Sequence, residues 1–328
     1  MSRATVALII PTLNEAEHIG DLLALLSRSA PDRVAQIIVA DGGSSDATRA
    51  IVARHATADP RVRLIENPQR LQAAGINRAV AGLPAEIDTI IRIDAHAHYP
   101  ADFITVLLDE RAKSGAESVV NHLHSVGEGC FQRAVAAASN SRFGTGGATH
   151  RIGGASSFVD HGHHALFDRA AFDRLGGYDE AFFANEDAEY DTRLRASGGR
   201  VWFTPRAPVG YYPRRTPMAL ARQYYRYGCG RAMTRAKHGE PLRPRQIAPA
   251  VLVALLLVSL LAGAFAPIAL AVPLLYLLAC AGAAMLLTLQ TRHPCVLGAA
   301  LALPVMHLSW GAGFLVQTLL RRAAQPSR

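Results

Sequence analysis

The sequence predicts an α/β domain with a mainly parallel sheet, followed by C-terminal transmembrane helices. In the first part of the chain, short apolar segments alternate with segments of helical periodicity. In the last part, no acidic residue follows Glu240, and the run from Ile247 to Leu289 carries no charge. Half of the 328 residues are hydrophobic, which excludes a disordered protein.

The alternation of strands and helices begins at the N-terminus. Thr5–Ile10 is a β-rich apolar run that stops at Pro11, and the residues after it have helical spacing. Three later runs, Gln36–Ala40, Val62–Ile65 and Thr89–Ile93, continue the pattern. Near-continuous apolar strands between helices favour a parallel sheet covered on both faces. Ligands of such open sheets bind at the carboxyl ends of the strands.

Polar clusters follow three of these predicted strands, and we expect them at one edge of the sheet. They are Thr12-Leu13-Asn14-Glu15, Asp41-Gly42-Gly43-Ser44-Ser45-Asp46 and Asp94-Ala95-His96. Neither a Gly-x-Gly-x-x-Gly fingerprint nor a Gly-Lys-Ser/Thr loop is present, which disfavours dehydrogenase and P-loop functions.

The third cluster predicts a divalent metal site. Asp94 and His96 share one side of an extended segment because side chains alternate along a strand. A carboxylate with an imidazole suits a cation that also keeps water and diphosphate oxygens, and the nitrogen favours Mn²⁺ over Mg²⁺. We therefore predict Asp94 and His96 as metal ligands.

The second cluster has two interpretations. The Asp41 carboxylate follows an apolar strand, and the two glycines after it allow a ligand to approach the backbone closely. It can accept a hydrogen bond from the imide N–H of a uracil base. The alternative is an Asx-turn that leads into the next helix, for which Ser45 is the predicted N-cap.

Three hydrophobic segments follow the α/β region, near 247–265, 268–289 and 296–320. Each is long enough to span a bilayer, and the alternative is a buried helical hairpin in a soluble fold. Ten Lys or Arg residues and one acid lie between Arg206 and Arg245, directly before the first span. This charge pattern predicts a cytoplasmic N-terminal domain, for which we find no signal peptide.

The same rule leaves the C-terminus open. Three crossings would place Arg321, Arg322 and Arg328 outside, so either the third segment is re-entrant or the rule is overridden. The basic segment before the first span favours a membrane surface over nucleic acid because it adjoins that span. The four cysteines have no paired or CxxC spacing, so we expect neither a disulfide framework nor a zinc site: Cys130, Cys229, Cys280 and Cys295.

Several ordered blocks together resemble family 2 glycosyltransferases of the GT-A fold. They are Val6 to Glu15, Asp41 to Thr48, Arg92 to His96, Gly176 to Glu180, Asn185 to Asp187 and Gln223 to Tyr227. Within the family, the stretches at 92–100 and 160–164 and the C-terminal membrane region resemble the ExoA type of succinoglycan biosynthesis. The resemblance implies a GT-A-type nucleotide-sugar-binding domain.

The resemblance also implies a UDP-sugar donor, expected to be UDP-glucose, and a divalent metal, Mg²⁺ or Mn²⁺. His96 stands where the family usually has a second aspartate. The replacement bears on which metal is preferred and on whether position 96 supplies a ligand. The implied donor-binding residues are Pro11, Thr12, Asn14, Glu15, Asp41, Gly43, Gln223 and Arg226.

The implied catalytic pair is Glu186 and Asp187 at a predicted helix start. Asp187 matches the family's general base, which takes the proton of the acceptor hydroxyl, and Glu186 supports it. Tyr227 replaces the tryptophan of the family's Gln-x-x-Arg-Trp element. We place Tyr227, His161 and His163 on the acceptor side.

These features predict an inverting glycosyltransferase that moves a hexose, expected to be glucose, from a UDP-sugar to a polyprenyl-diphosphate-linked glycan in polysaccharide biosynthesis. It would be a multi-pass inner-membrane protein with a cytoplasmic catalytic domain. The alternatives are a polyprenyl-phosphate glycosyltransferase and a non-catalytic nucleotide-binding membrane scaffold or transport component. The expected domains are residues 1–215 (catalytic), 216–246 (basic interfacial segment), 247–320 (membrane region) and 321–328 (basic tail).

Overall fold

The computed structural model describes residues 5–324, which form two compact units. The first unit comprises residues 5–123 and Gly153–Tyr211, and the second comprises His124–Ile152 and residues 212–324. The segment 124–152 therefore belongs with the C-terminal helices, although it lies in the middle of the α/β region in sequence.

The strands of the described chain, in sequence order, are β1 (Val6–Thr12), β2 (Val34–Asp41), β3 (Val62–Glu66), β4 (Thr89–Arg92), β5 (Ala97–His98), β6 (Ser118–Ser125), β7 (Ser157–Val159), β8 (His163–Asp168) and β9 (Val201–Tyr211). The helices are α1 (Ile19–Leu26), α2 (Thr48–Ala58), α3 (Gln72–Ala81), α4 (Phe103–Ser114), α5 (Cys130–Ser139), α6 (Arg142–Thr145), α7 (Thr149–Ile152), α8 (Arg169–Arg174), α9 (Glu186–Ala196), α10 (Pro217–His238), α11 (Pro244–Gly263), α12 (Ala271–Thr291) and α13 (Ala299–Ala324).

The first unit is built on one mixed sheet. Among residues 5–324, nine strands form this sheet in the order β3-β2-β1-β4-β8-β6-β9-β5, with β7 paired to β9. The four strands from β3 to β4 are parallel, and β8 joins β4 in the antiparallel direction. The predicted α/β fold is confirmed, and the sheet is mixed because β8 pairs with β4 in the antiparallel direction.

Two apolar layers cover the faces of the sheet. In β1, Leu8 and Ile10 belong to one buried cluster, together with Leu23 of α1. Ala7 and Ile9 belong to a second buried cluster, together with residues of α3 and α9. Because adjacent side chains of a strand point to opposite faces, a continuously apolar β1 fits a sheet covered on both sides.

The second unit is helical. In the described part of the chain, three helical segments are long and apolar enough to cross a membrane: Pro244–Gly263, Pro267–Thr291 and Pro294–Arg321. They coincide with the three predicted hydrophobic segments to within a few residues. Short 3-10 turns at Pro267–Leu270 and Pro294–Gly298 precede α12 and α13.

The expectation that no disulfide forms is wrong. Cys130, at the start of α5, is bonded to Cys295, in the turn between α12 and α13. The two residues are 165 positions apart in sequence, so no local spacing indicates the pair. The packing of α5 against that turn brings them together, while Cys229 and Cys280 are buried free thiols.

Candidate active site

The loops after β1 and β2 are locked together by hydrogen bonds. The backbone N–H of Asn14 donates to Ser44 Oγ at 2.9 Å, and the N–H of Ser45 donates to Asn14 Oδ1 at 2.8 Å. The N–H of Glu15 donates to Thr48 Oγ1 at 2.8 Å. Asn14 has a φ of 57°, a left-handed conformation that asparagine tolerates better than most residues. The two loops predicted to hold the donor are therefore held together by hydrogen bonds as one structural unit.

Asp41 is the last residue of β2, at the start of the second loop, and is 1% exposed. Its Oδ2 accepts the N–H groups of Gly43 and Ser44 at 3.1 and 3.0 Å and pairs with Arg49 at 3.2 Å. This is the Asx-turn geometry that the sequence left as an alternative. Asp41 shapes the loop through these contacts, whatever else it binds.

The predicted N-cap at Ser45 is wrong. α2 begins at Thr48, whose N–H is accepted by Asp46 Oδ1 at 3.0 Å, while Ser45 bonds to Asn14 in the facing loop. Ser45 bonds to Asn14, 31 positions away in sequence, and a local capping pattern cannot indicate such a distant partner.

Asp94 follows β4 and makes different contacts with its two oxygens. Oδ1 accepts from Arg92 Nε at 3.2 Å and from Gln72 Nε2 at 3.1 Å. Oδ2 faces His163 Nε2 at 3.2 Å. Burial acts to raise the pKa of Asp94, but the charges of Arg92 and His163 outweigh it and hold that pKa below its usual value. The carboxylate is thus kept ionised.

The two histidines proposed for this region have different partners. His96 Nδ1 lies 2.8 Å from Glu15 Oε1, whereas His163, at the start of β8, is the histidine beside Asp94. Among residues 5–324, no cluster of three or more His, Cys, Asp and Glu side chains has metal-binding geometry. Both imidazoles lie near Asp94, since the charge of His96 also acts to lower the pKa of that carboxylate.

Arg92 connects the loop after β4 to the start of α9. The guanidinium is 6% exposed, and its NH1 lies 3.3 Å from Glu186 Oε1 while its Nε holds Asp94. Burial raises the pKa of Glu186 above its usual value, although the positive charge of Arg92 opposes the shift. Arg92 thereby fixes two predicted site residues from distant parts of the sequence in one buried network.

Asp187 lies one residue further along and is half-buried. Its Oδ1 accepts the N–H of Ala188 at 2.7 Å. Asn185, directly before α9, has a φ of 62°, so the chain turns sharply into the helix at this acidic pair. The N-terminal end of a helix favours negative charge, which suits Glu186 and Asp187 at its first positions.

Gln223, Arg226 and Tyr227 lie on α10 in the second unit. Gln223 Nε2 donates to Tyr227 Oη at 3.0 Å, and the Arg226 side chain is exposed. Tyr227 also meets the ring of Tyr224 edge-on, with ring centres 5.6 Å apart. His161, the other residue assigned to the acceptor side, is half-buried in the first unit.

Sequence reasoning missed three supports of the site: Arg92, Gln72 and Tyr99. Tyr99 Oη accepts the backbone N–H of Asp94 at 2.7 Å. Only Arg92 carried a recognisable signal, because it lies two positions before Asp94 on the same side of an extended strand. Gln72 comes from a separate helix, and no local pattern indicates it.

The family model for glycosyl transferase family 2 matches residues 7–176, which include the two donor loops, Asp94 and His163. The chain belongs to this family and is a glycosyltransferase. It is 44% identical over 311 residues to the succinoglycan biosynthesis protein ExoA of Rhizobium meliloti (strain 1021), covering 94% of this chain and 93% of that protein.

A solved structure shows the same fold. It is a mannosyltransferase from Pyrobaculum calidifontis in complex with GDP-Man and Mn²⁺. The TM-score is 0.60 with 21% sequence identity, and the match covers 98% of this chain and 89% of that one. The predicted GT-A-type fold is confirmed, and so is the predicted membership in family 2.

Proposed function

We propose that this protein is an inverting glycosyltransferase that moves a hexose, expected to be glucose, from a UDP-sugar to a polyprenyl-diphosphate-linked glycan at the cytoplasmic face of the membrane. The observation that carries the proposal is the buried Arg92 network. It joins Asp94, in the polar cluster after β4, to Glu186 of the acidic pair at the start of α9. We call the sheet edge formed by the clusters after β1, β2 and β4 the donor edge. The similarity to ExoA over 94% of the chain supports a role in exopolysaccharide synthesis of the succinoglycan type.

The donor edge fits a divalent cation, Mg²⁺ or Mn²⁺. Asp94 Oδ2 and His163 Nε2 are 3.2 Å apart, the separation expected of adjacent ligands about 2.1 Å from one ion. Asp94 Oδ1 is already held by Arg92 and Gln72, which aims Oδ2 toward the imidazole. We therefore propose Asp94 and His163 as the protein ligands, with His96 orienting Glu15. Such an ion would neutralise the charge of the departing diphosphate.

Asp187 is the proposed general base. The acceptor hydroxyl oxygen attacks the anomeric carbon, the bond from that carbon to the diphosphate oxygen breaks, and Asp187 takes the hydroxyl proton. Positioning of the two substrates supplies a large share of the rate. Glu186, held by Arg92, keeps the start of α9 in place.

Donor and acceptor identity are tested together with purified full-length protein in lipid nanodiscs. Each of several UDP-sugars and GDP-mannose is offered with lipid-linked glycan or with polyprenyl phosphate as the acceptor. We expect transfer from UDP-glucose to the lipid-linked glycan. Transfer to polyprenyl phosphate alone would identify the other transferase type, and nucleotide binding without transfer to either acceptor would indicate a scaffold.

A further inference from the structure

We propose that Asn121 is a positioning residue of the metal site. Its side-chain oxygen accepts a hydrogen bond from His163 Nδ1 and orients that imidazole so that Nε2 can bind a cation. The inference rests on the proposed function, in which Asp94 and His163 are the protein ligands of the divalent cation. It adds to that site one residue from a neighbouring strand of the sheet.

The side chain of Asn121 is a buried amide with an unused acceptor. Asn121 lies in β6 and is 1% exposed. Among residues 5–324, no group donates a hydrogen bond to its Oδ1 atom. The large majority of buried polar side-chain atoms in native proteins have a hydrogen-bond partner. An orphaned buried oxygen therefore points to a donor that is in place when a ligand is bound.

Three neighbouring strands place Asp94, His163 and Asn121 in one row. The sheet order is β4-β8-β6, so β8 lies between the strand that leads to Asp94 and the strand that carries Asn121. Because β8 is antiparallel to both neighbours, its first residue, His163, lies near the carboxyl end of β4, with Nε2 3.2 Å from Asp94 Oδ2. Since the strand of His163 separates Asn121 from Asp94, we expect Asn121 to act through the imidazole.

His163 and Asn121 are directly opposite each other in the pairing of β8 with β6. Directly opposite residues of an antiparallel pair project to the same face of the sheet, with Cβ atoms about 4.5–5.5 Å apart. Nδ1 is the histidine nitrogen nearer the backbone, and Nε2 is the one farther from it. Since Nε2 already faces Asp94, Nδ1 is the ring nitrogen within reach of the Asn121 side chain.

The backbone at the start of β8 is held in place from two directions. A Cβ on Gly162, the residue before β8, would come 2.5 Å from Val120 Cγ2, so the absence of a side chain lets β8 approach β6 this closely. The N–H of Gly162 donates to Oδ2 of Asp191 at 3.3 Å, and Asp191 is fully buried in α9. With the backbone beside His163 fixed, the orientation of its ring depends on the contacts of its two nitrogens.

The chemistry of a bound histidine matches the orphaned oxygen. A histidine that binds a cation uses the lone pair of one ring nitrogen, and the other nitrogen then carries the hydrogen. In metal sites that second N–H almost always donates to a carboxylate, a carbonyl or water, which fixes the orientation of the ring. If Nε2 of His163 is the ligand, Nδ1 needs an acceptor, and Asn121 Oδ1 is a buried acceptor in need of a donor.

The test compares two properties of the purified full-length Asn121→Leu variant with the wild type. Leucine has nearly the shape of asparagine but no acceptor. Loss of an unpartnered buried oxygen to an apolar group of the same shape should leave the melting temperature of the metal-free protein unchanged or raise it. Mn²⁺ affinity in the presence of UDP, from electron paramagnetic resonance of free Mn²⁺, should fall by about 10–100-fold, the usual loss for an outer partner of a metal ligand.

Two further variants of β6 serve as controls. Asn121→Asp keeps an oxygen acceptor and should retain more Mn²⁺ affinity than Asn121→Leu. Val119→Ala removes buried apolar contacts two positions earlier. It should give the opposite pattern, with a lower melting temperature and Mn²⁺ affinity within about twofold of the wild type. If Asn121→Leu instead behaves like Val119→Ala, Asn121 is merely structural and the proposal is overturned.

A double-variant cycle tests whether Asn121 acts through His163. In the His163→Ala background, Asn121→Leu should cause no further loss of Mn²⁺ affinity, because the ring that it orients is gone. An equal loss in both backgrounds would show that Asn121 contributes independently of His163, which would overturn the positioning role.

Nitrogen couplings in pulsed electron paramagnetic resonance of bound Mn²⁺ separate this inference from the proposed function. We expect a coupling from a bound ring nitrogen in the wild type and its loss in His163→Ala. A wild type without this coupling would overturn His163 as a ligand, and the inference with it. A coupling that depends on His163, together with wild-type Mn²⁺ affinity of Asn121→Leu, would overturn only the role of Asn121.

Discussion

The two units hold their polar residues in opposite ways. In the catalytic unit, buried charges hold one another, as Arg92 does with Asp94 and Glu186. In the helical unit, most basic side chains of α10 are exposed. The helices there pack through close backbone contacts at glycines, such as Gly228 of α10 against the backbone of α13. A substitution in the Arg92 network therefore leaves a buried charge unpaired. In the helical unit, a substitution at a contact glycine disturbs helix packing, and one at Cys130 or Cys295 removes a disulfide.

The largest effect is expected at Asp94. Asp94→Asn removes the negative charge that faces His163, and loss of the proposed metal contribution should lower transfer by about 10³-fold or more. The measurement is turnover with UDP-sugar and acceptor at saturating Mn²⁺. Asp109→Asn, a change at an exposed carboxylate of α4, is the matched control and should retain activity. Full activity of Asp94→Asn, or of the wild type in excess EDTA, would remove the metal from the mechanism.

Arg92 tests whether paired charges stabilise the catalytic unit. Arg92→Met leaves Asp94 and Glu186 without their buried partner and should reduce the free energy of unfolding by about 3–5 kcal/mol. The double variant Arg92→Met/Glu186→Gln should recover part of that loss because it removes one uncompensated charge. Thermal or denaturant unfolding of the three proteins gives the comparison. Equal stability of the single variant and the wild type would show that the network is not a structural support.

Asp187 separates catalysis from donor binding. Asp187→Asn keeps the shape of the side chain but not its proton affinity, so turnover should fall at least about 10²-fold. UDP affinity, measured by calorimetry, should stay within a few-fold of the wild type. Wild-type turnover would place the base elsewhere, and simultaneous loss of UDP binding would show a structural role.

The disulfide gives the corresponding test in the helical unit. Reduction of the Cys130–Cys295 bond should lower stability by about 2–4 kcal/mol, the usual contribution of a disulfide. Melting is followed with and without dithiothreitol, with Cys130→Ser/Cys295→Ser as the control that should not respond. An equal response of both proteins would assign the effect to another target of the reductant.

The smallest expected effect distinguishes the two histidines. His163→Ala removes a proposed ligand and should weaken Mn²⁺ binding in the presence of UDP by at least about tenfold, since loss of even an outer-shell partner costs that much. His96→Ala should change it less than twofold, because the imidazole of His96 lies against Glu15. Electron paramagnetic resonance of free Mn²⁺ measures both affinities. The reverse ranking would restore His96 as the ligand.

Local patterns in the sequence were sufficient for the elements and for the family. The alternation of apolar runs and helical periodicity predicted β1 to β4 and their helices, and the uncharged run predicted the apolar helices. Motifs at strand ends indicated where a nucleotide-sugar would bind, because parallel strands deliver their carboxyl ends to one edge. Asp94 was selected in this way and Glu186 through the family resemblance, and the two share one partner, Arg92.

The sequence by itself thus determined the strand and helix order, the apolar segments and the motifs of the family, because each depends on periodicity or spacing within a short stretch. Tertiary structure alone decided that His163 faces Asp94, that Cys130 bonds to Cys295 and that α13 packs along α10. The members of each pair are far apart in sequence, and which elements lie against each other depends on how whole layers pack. No local period carries that information.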